Sequence, residues 1–362
     1  MMPGPLTDTA GLVAEIDAEI AAAATMYHPS RFWDMLRDRN TTQIDGLALG
    51  NFKRTINNNY FQWLPGGYDD NQVRNLVRLW AGLPDNIPAE IAAASAAPGG
   101  WAGVEAFDGD DPFAHPRYRA FYTQFVGLLW SYVIGHDPIR LFERIEEPAL
   151  GNPLPLFWEG HRISQDLANS IHEWSRWRQL SQGMLAPAVP RVLEIGAGYG
   201  RLAYVFAQAE PCKYVIVDIA PALAVAQWYL GTVLPDRRVF GFRPFSCYAD
   251  IAAEFEAADI CFLSANQLEL LPDDVIDFTV SISSLHEMRH EQIAHYLDLV
   301  ARKTRFGVYF KQWRQWTNPS DNIEVGRADF LLPAPWLLVL DQPHAVQDAF
   351  CELGFLRFLP TA

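Results

Sequence analysis

The sequence predicts an α/β protein: an open, doubly wound sheet of mostly parallel strands, preceded by a helical half. Three observations predict it. From Pro190 onward, short apolar runs alternate with stretches of helical spacing, the signature of strands joined by crossover helices. A glycine-rich turn, Gly196-Ala-Gly-Tyr-Gly200, falls where one apolar run gives way to a helix. From Leu12 to about Gln182, apolar residues recur at helical intervals instead. The division expected is therefore a helical domain over residues 1–185 and a sheet domain over 186–362.

The helical half is read from its periodicity. Leu12, Ile16 and Ile20 mark one buried stripe, and Val73, Leu76, Val77 and Trp80 another. Tyr118, Phe121, Tyr122, Phe125 and Leu129 repeat the pattern with larger side chains. Pro29-Ser30 ahead of Arg31-Phe-Trp33 looks like a helix start, and Gln165-Asp166 open the last helix before the sheet. Many tryptophans lie in this half; a stacking platform for sugar rings is conceivable, and a packed aromatic layer is the favoured reading.

In the second half the strands expected are 191–195, 214–217, 239–242, 260–263, 277–282, 306–310, 336–340 and 356–359. Helices are expected over 202–208, 222–230, 251–256, 291–300 and 345–353. In such sheets a ligand sits beyond the carboxyl ends of the strands, where the strand order reverses.

Composition narrows the function. The 362 residues are 50% hydrophobic and carry 28 basic against 43 acidic side chains, a net charge of −15. A chain so acidic repels phosphate backbones and anionic lipid, so nucleic acid is not expected as a substrate. No run approaches the length of a membrane span, and residues 1–10 have no basic segment followed by an apolar one. The 4 cysteines, Cys212, Cys247, Cys261 and Cys351, are widely spaced and read as reduced thiols. A cytoplasmic location is the expectation.

The glycine loop carries the chemistry. An apolar strand runs through Glu194 into Gly196, Gly198 and Gly200, with Ala197 and Tyr199 between them, and the next strand ends in Asp218-Ile219. Glycines let a ligand approach the backbone, and an acid at that second strand end can accept from both hydroxyls of a ribose. A structural turn explains one glycine and not the set. A dinucleotide site prefers the spacing G-x-G-x-x-G, and Glu194 is a poor neighbour for pyrophosphate. S-adenosylmethionine (SAM), with a sulfonium, an ammonium and a ribose but no phosphate, suits E-x-G-x-G-x-G best.

Leu193 to Arg201 together with Asp218 resembles motifs I and II of class I SAM-dependent methyltransferases. The resemblance implies a Rossmann-like sheet with a helical N-terminal domain. More narrowly, residues 217–230, 283–288 and 309–313 are similar to the sugar O-methyltransferase family, as are 51–61 and 164–170. By the same likeness, Ser283 belongs to the cofactor site and the adenine lies near Ala265-Asn266-Gln267. Gln267 there takes the place of an acid that many class I enzymes carry, and a polar loop is the alternative.

Methyl transfer to a hydroxyl needs the acceptor oxygen aligned and a base for its proton. His286, just past the 277–282 strand, is the expected base, with orientation of the loop as its alternative role. Glu287 polarises His286 or holds a divalent ion. With no D-x-D or H-x-x-E cluster, a metal is not favoured and no residue is assigned to one. Acceptor contacts are expected from Asn57, Asn58 and Tyr60, from Lys311 and Trp313, and more weakly from Gln165 and Asp166. A turn is the favoured reading of Asn57 and Asn58, and Trp313 reads equally as cover for the sheet end.

The reading is a SAM-dependent O-methyltransferase acting on a sugar or glycosylated metabolite. Its rivals are an O- or N-methyltransferase for a non-sugar small molecule and a non-catalytic SAM-binding module. Ser-Ile-Ser-Ser in place of an N-P-P-Y-type motif argues against methylation of nucleobase amino groups. The sequence leaves homo-oligomerisation open.

Overall fold

The structure, a computed structural model, describes residues 9–34, 37, 46–55, 64–67, 70–81, 113, 116–184, 186–318, 320 and 322–357. Asn57, Asn58 and Tyr60 lie outside the described residues.

The helical half contributes α1 (Thr9–Ala22), a short α2 (Phe52–Thr55), α3 (Asn71–Ala81) and α4 (Pro116–Ile134). A small hairpin of β1 (Leu156–Trp158) and β2 (His161–Ile163) follows, then α5 (Gln165–Ser181). The stripes anticipated on α1 and α4 are buried. Ser164 caps α5 by accepting from the Leu167 amide at 2.9 Å, which satisfies one of the free donors at a helix start. The helix is buried on nearly every face, Asp166, His172 and Glu173 included, because it runs between the N-terminal helices and the sheet.

The sheet half runs β3 (Arg191–Ile195), α6 (Arg201–Ala209), β4 (Lys213–Asp218), α7 (Ala222–Val233), β5 (Val239–Phe240), α8 (Ala252–Ala257) and β6 (Ile260–Ser264). It continues with α9 (Gln267–Leu270), β7 (Ile276–Ile282), α10 (His290–Lys303) and β8 (Thr304–Trp313). A hairpin, β9 (Gln315–Asn318) with β10 (Ile323–Gly326), precedes β11 (Trp336–Pro343) and β12 (Phe350–Arg357).

One sheet of 8 strands has the order β11-β12-β8-β7-β3-β4-β6-β5. The strands from β5 to β8 are parallel, while β12 is antiparallel to β8 and to β11. From β3 the chain builds outward on one side, then returns to lay β7 against β3 on the other. The order reverses between β3 and β7, opening a crevice at their carboxyl ends. β6 and β7 are buried at every residue, as strands covered on both faces must be. This is the Rossmann-like, doubly wound fold. Apolar residues of both halves share one core, with Phe52, Trp130 and Trp174 in the same cluster as Phe206, Tyr214 and Phe278.

The carboxyl-terminal region corrects the sequence expectation. Residues 345–353, read as a helix, form a turn and the start of β12; that strand begins well before the 356–359 expected and includes residues 356–357, while 358–359 lie outside the described residues. β12 is inserted between β8 and β11, so Phe350, Cys351, Leu353 and Phe355 are all buried. A strand covered on both faces loses the alternation that distinguishes it from a helix. The two hairpins, β1–β2 and β9–β10, are too short to leave a periodic signal. Cys212, Cys261 and Cys351 are buried free thiols and Cys247 an exposed one. Among the described residues, no helix is long and apolar enough to cross a membrane.

Candidate cofactor-binding and catalytic site

The crevice at the ends of β3, β4, β6 and β7 holds a cavity of about 720 Å³, its open mouth included. Its floor is the glycine loop. Gly196, Gly198 and Gly200 have φ values of 74°, 59° and 85°, a region that side-chain-bearing residues occupy only at a cost. A Cβ on Gly196 would stand 1.9 Å from Ser284 Oγ, so the absence of a side chain lets the ends of β3 and β7 close together.

Asp218 faces this floor from the end of β4. Its Oδ2 accepts from the Gly198 amide at 2.9 Å and its Oδ1 from the Ile219 amide at 2.8 Å. The Ala197 amide also acts on this carboxyl, and Asp218 lines the cavity. Burial pushes the carboxyl up to about 7, against the pull of those backbone amides. Gly196, Gly198, Ile219, Ala265 and Ser283 line the same cavity.

The opposite wall is Glu287. It ends the turn Leu285–Glu287 that follows β7, and burial pushes its carboxyl up to about 8. An N-terminal arm reaches it from α1. The Ser30 hydroxyl donates to the Glu287 carbonyl at 2.8 Å, and the Trp33 indole N–H donates to Glu287 Oε2 at 3.1 Å. Gln292 of α10 donates to the carbonyls of Met26 and His28, and the Tyr27 hydroxyl donates to Glu269. Tyr27, Ser30 and Trp33 thereby become part of the cavity wall. Sequence reasoning saw a helix start at Ser30 but not its partner, because nothing local to residues 27–33 announces Glu287.

Several residues expected at the site face elsewhere. His286 is fully buried behind the wall, between Gln312 and the rings of Trp313, Trp316 and Phe350, and burial drives its imidazole down to about 3. It does not line the cavity. Glu194 also points away from the cavity, accepting from the Tyr214 hydroxyl at 2.8 Å. Side chains alternate along a strand, and the position before Ile195 faces the helical layer.

Both ends of the Gln267 amide are engaged: its Oε1 accepts from the Ser264 amide and its Nε2 donates to the Arg243 carbonyl. Asn266 donates to Glu19 of α1. These two hold the end of β6, and Ala265 is the residue of that turn at the cavity. Ala197 and Tyr199 contribute backbone to the loop, while the Tyr199 side chain turns back to Asp166.

Of the acceptor candidates, Lys311 is a buried core charge, bound to Glu173 at 2.8 Å and to Gln347. Trp313 packs on Phe350 and His286. Gln165 and Asp166 are buried at the start of α5, on the far side of the glycine loop. None of the four lines the cavity. Among the described residues, no group of three or more His, Cys, Asp or Glu side chains is placed to hold a metal ion.

No family model matches the chain, and no curated protein matches it. Among solved structures it is similar to a SAM-dependent methyltransferase from Aquifex aeolicus, at 14% identity over 51% of this chain and 88% of that one, with a TM-score of 0.34. It is similar to magnesium protoporphyrin IX methyltransferase from Synechocystis with bound SAM, at 15% identity over 64% and 96%, with a TM-score of 0.35. A SAM-dependent methyltransferase from Mesorhizobium loti gives 12% identity over 50% and 97%, with a TM-score of 0.34.

Proposed function

We propose that the chain is a SAM-dependent O-methyltransferase whose acceptor is a small molecule, a sugar or glycosylated metabolite. One observation carries the first part: Asp218 and the glycine loop face Glu287 across a single cavity at the reversal point of the sheet. The residues present fit SAM. Asp218 has lone pairs for the ribose hydroxyls, the loop lets a ligand lie against backbone, and the cavity's acids, Asp218 and Glu287, suit a cation. When bound there, SAM supplies a methyl group activated by its sulfonium.

The chain's own residues then align and deprotonate the acceptor. Glu287 is the group placed to take the hydroxyl proton; a carboxyl with a pKa near the working pH is well matched to that task. The arm from Tyr27 to Trp33 supplies part of the cavity wall beside Glu287. Support for a sugar comes from the resemblance of residues 217–230, 283–288 and 309–313, and from an indole at the cavity wall.

Calorimetry with S-adenosylhomocysteine (SAH), followed by a screen of sugars and glycosides with methyl-labelled SAM, tests the proposal. Binding of SAH with label incorporated into a hydroxyl is the expected result. NAD binding without a response to SAH defeats the cofactor assignment, and label on non-sugar acceptors alone defeats the sugar.

A further inference from the structure

Gln312 has a fixed orientation. Its Nε2 donates to the carbonyl and hydroxyl of Ser281, both at 3.1 Å, and its Oε1 accepts from the Ser284 amide, a group that can only donate. The His286 Nδ1 lies 3.1 Å from that same Oε1. Since Oε1 cannot donate, Nδ1 must carry the imidazole proton, and Nε2 is a bare lone pair. That lone pair is fully buried and has no hydrogen-bond partner among the described residues, an arrangement that costs free energy unless another state of the protein uses it. The polar atom it approaches is Glu287 Oε1, at 3.8 Å. The other oxygen of the same carboxylate takes the Trp33 indole N–H.

We infer that Trp33 and His286 are positioning residues that hold the two protonation states of Glu287: the indole N–H binds the carboxylate, and the imidazole Nε2 receives the O–H of the acid. The inference rests on the reading of this cavity as a methyl-transfer site. With SAM bound, the methyl carbon would leave sulfur, giving neutral SAH, as the acceptor oxygen bonds to it, and the hydroxyl proton would pass to Glu287 and stay there. A neutral imidazole walled by Trp313, Trp316 and Phe350 is too poor a base to take it. What His286 gains is a donor for its lone pair, reached by a rotation of the Glu287 side chain of about 1 Å toward hydrogen-bond distance. Glu287 becomes a better base because its protonated form has a partner waiting.

Among the described residues, the ionisable groups that line the cavity with Glu287 are Asp218 from β4, Tyr27 from the arm and Tyr296 from α10, with His286 behind it in its own turn; the Trp33 indole is a donor that does not titrate. Asp218 raises the carboxyl further and the Trp33 donor lowers it. A bound sulfonium would also lower it, so the titration is best read with SAH, which is uncharged at sulfur.

The test is a pH titration by NMR of protein labelled with glutamate ¹³C at the carboxyl and saturated with SAH. The Glu287 signal is identified by its loss in Glu287→Gln. In Trp33→Phe the midpoint should rise and in His286→Phe it should fall, each by about 0.5 to 1 pH unit for one lost hydrogen bond. Ser30→Ala removes a contact to the Glu287 carbonyl only and should leave the midpoint in place. Gln312→Met, which frees the imidazole tautomer, gives the downward shift independently should His286→Phe fail to fold. Unchanged midpoints, or both variants moving the same way, overturn the inference. If the wild-type protein does not bind SAH, the methyl-transfer reading falls, while the same titration without ligand still decides the pairing.

Discussion

The Tyr199 hydroxyl donates to Asp166 Oδ2 at 2.8 Å. A residue of the glycine loop is thereby tied, on the side away from the cavity, to the first turn of α5. Arg201, where α6 begins, binds Ser170 and Glu173 of the same helix at 2.7 and 2.6 Å. The helical half therefore braces the back of the loop, and the loop's front is left for the ligand.

Breaking this brace should loosen cofactor binding without removing a contact to the cofactor. Tyr199→Phe and Asp166→Asn each delete or weaken one buried hydrogen bond, worth about 1 kcal/mol, or roughly five-fold in affinity. Calorimetry with SAH should show that loss in each variant, and no further loss in the double variant. Additive losses would mean that the two side chains act separately.

Asp218 is the stronger determinant. Its Oδ atoms already accept from Gly198 and Ile219, so ribose hydroxyls would complete a carboxylate bound on both sides. Asp218→Ala should weaken SAH by about 100-fold or more, the sum of two hydrogen bonds to a charged group. Burial pushes its carboxyl up to about 7. The charged form is the better acceptor, so SAH affinity should fall as pH drops through 7 and level off above it. An affinity that is flat from pH 6 to 8 would remove Asp218 from the ribose.

Glu287, rather than His286, should carry the larger catalytic loss. A positioned base contributes about 100- to 10,000-fold, so Glu287→Gln should lower kcat by that order with SAH affinity nearly intact. His286→Phe should cost about ten-fold or less, since it removes a partner of the base and not the base itself. The rate should rise with pH toward about 8, where Glu287 becomes a carboxylate. Comparing kcat for the two variants across pH 6 to 9 checks the order. A larger defect in His286→Phe would return the imidazole to the role of base.

How much of this was legible in the sequence depends on how local each signal is. The glycine loop, the strand ending in Asp218 and the placement of Glu287 past β7 follow from short-range pattern, and the structure brings all three to one cavity. What failed was the direction of side chains. His286 and Glu287 are neighbours in sequence, yet one faces aromatic rings and the other the cavity, because the Leu285–Glu287 segment is a tight turn. Lys311 and Asp166 read from the sequence as acceptor contacts, but each is neutralised or bonded by a residue far away in the chain, Glu173 for one and Tyr199 for the other. The arm from Tyr27 to Trp33 is the clearest case: its partners lie beyond residue 260, at a distance no periodicity reaches.

Gly196 gives a test in which one substitution should repair another. Its φ of 74° alone makes alanine costly there, by about 1 to 2 kcal/mol. The larger penalty is the Cβ, which would lie 1.9 Å from Ser284 Oγ and 2.3 Å from Ser284 Cβ. Relief requires the end of β3 to move away from the turn after β7; the first carries the glycine loop that donates to Asp218, and the second carries Glu287. Gly196→Ala should therefore lower the melting temperature and abolish measurable SAH binding. Adding Ser284→Gly removes both clashing atoms and leaves only the backbone strain. The double variant should regain most of the lost stability and bind SAH more weakly than wild type. If Ser284→Gly restores nothing, the glycine is required for its backbone angle or for direct approach of the ligand, and not for the closure of β3 on β7.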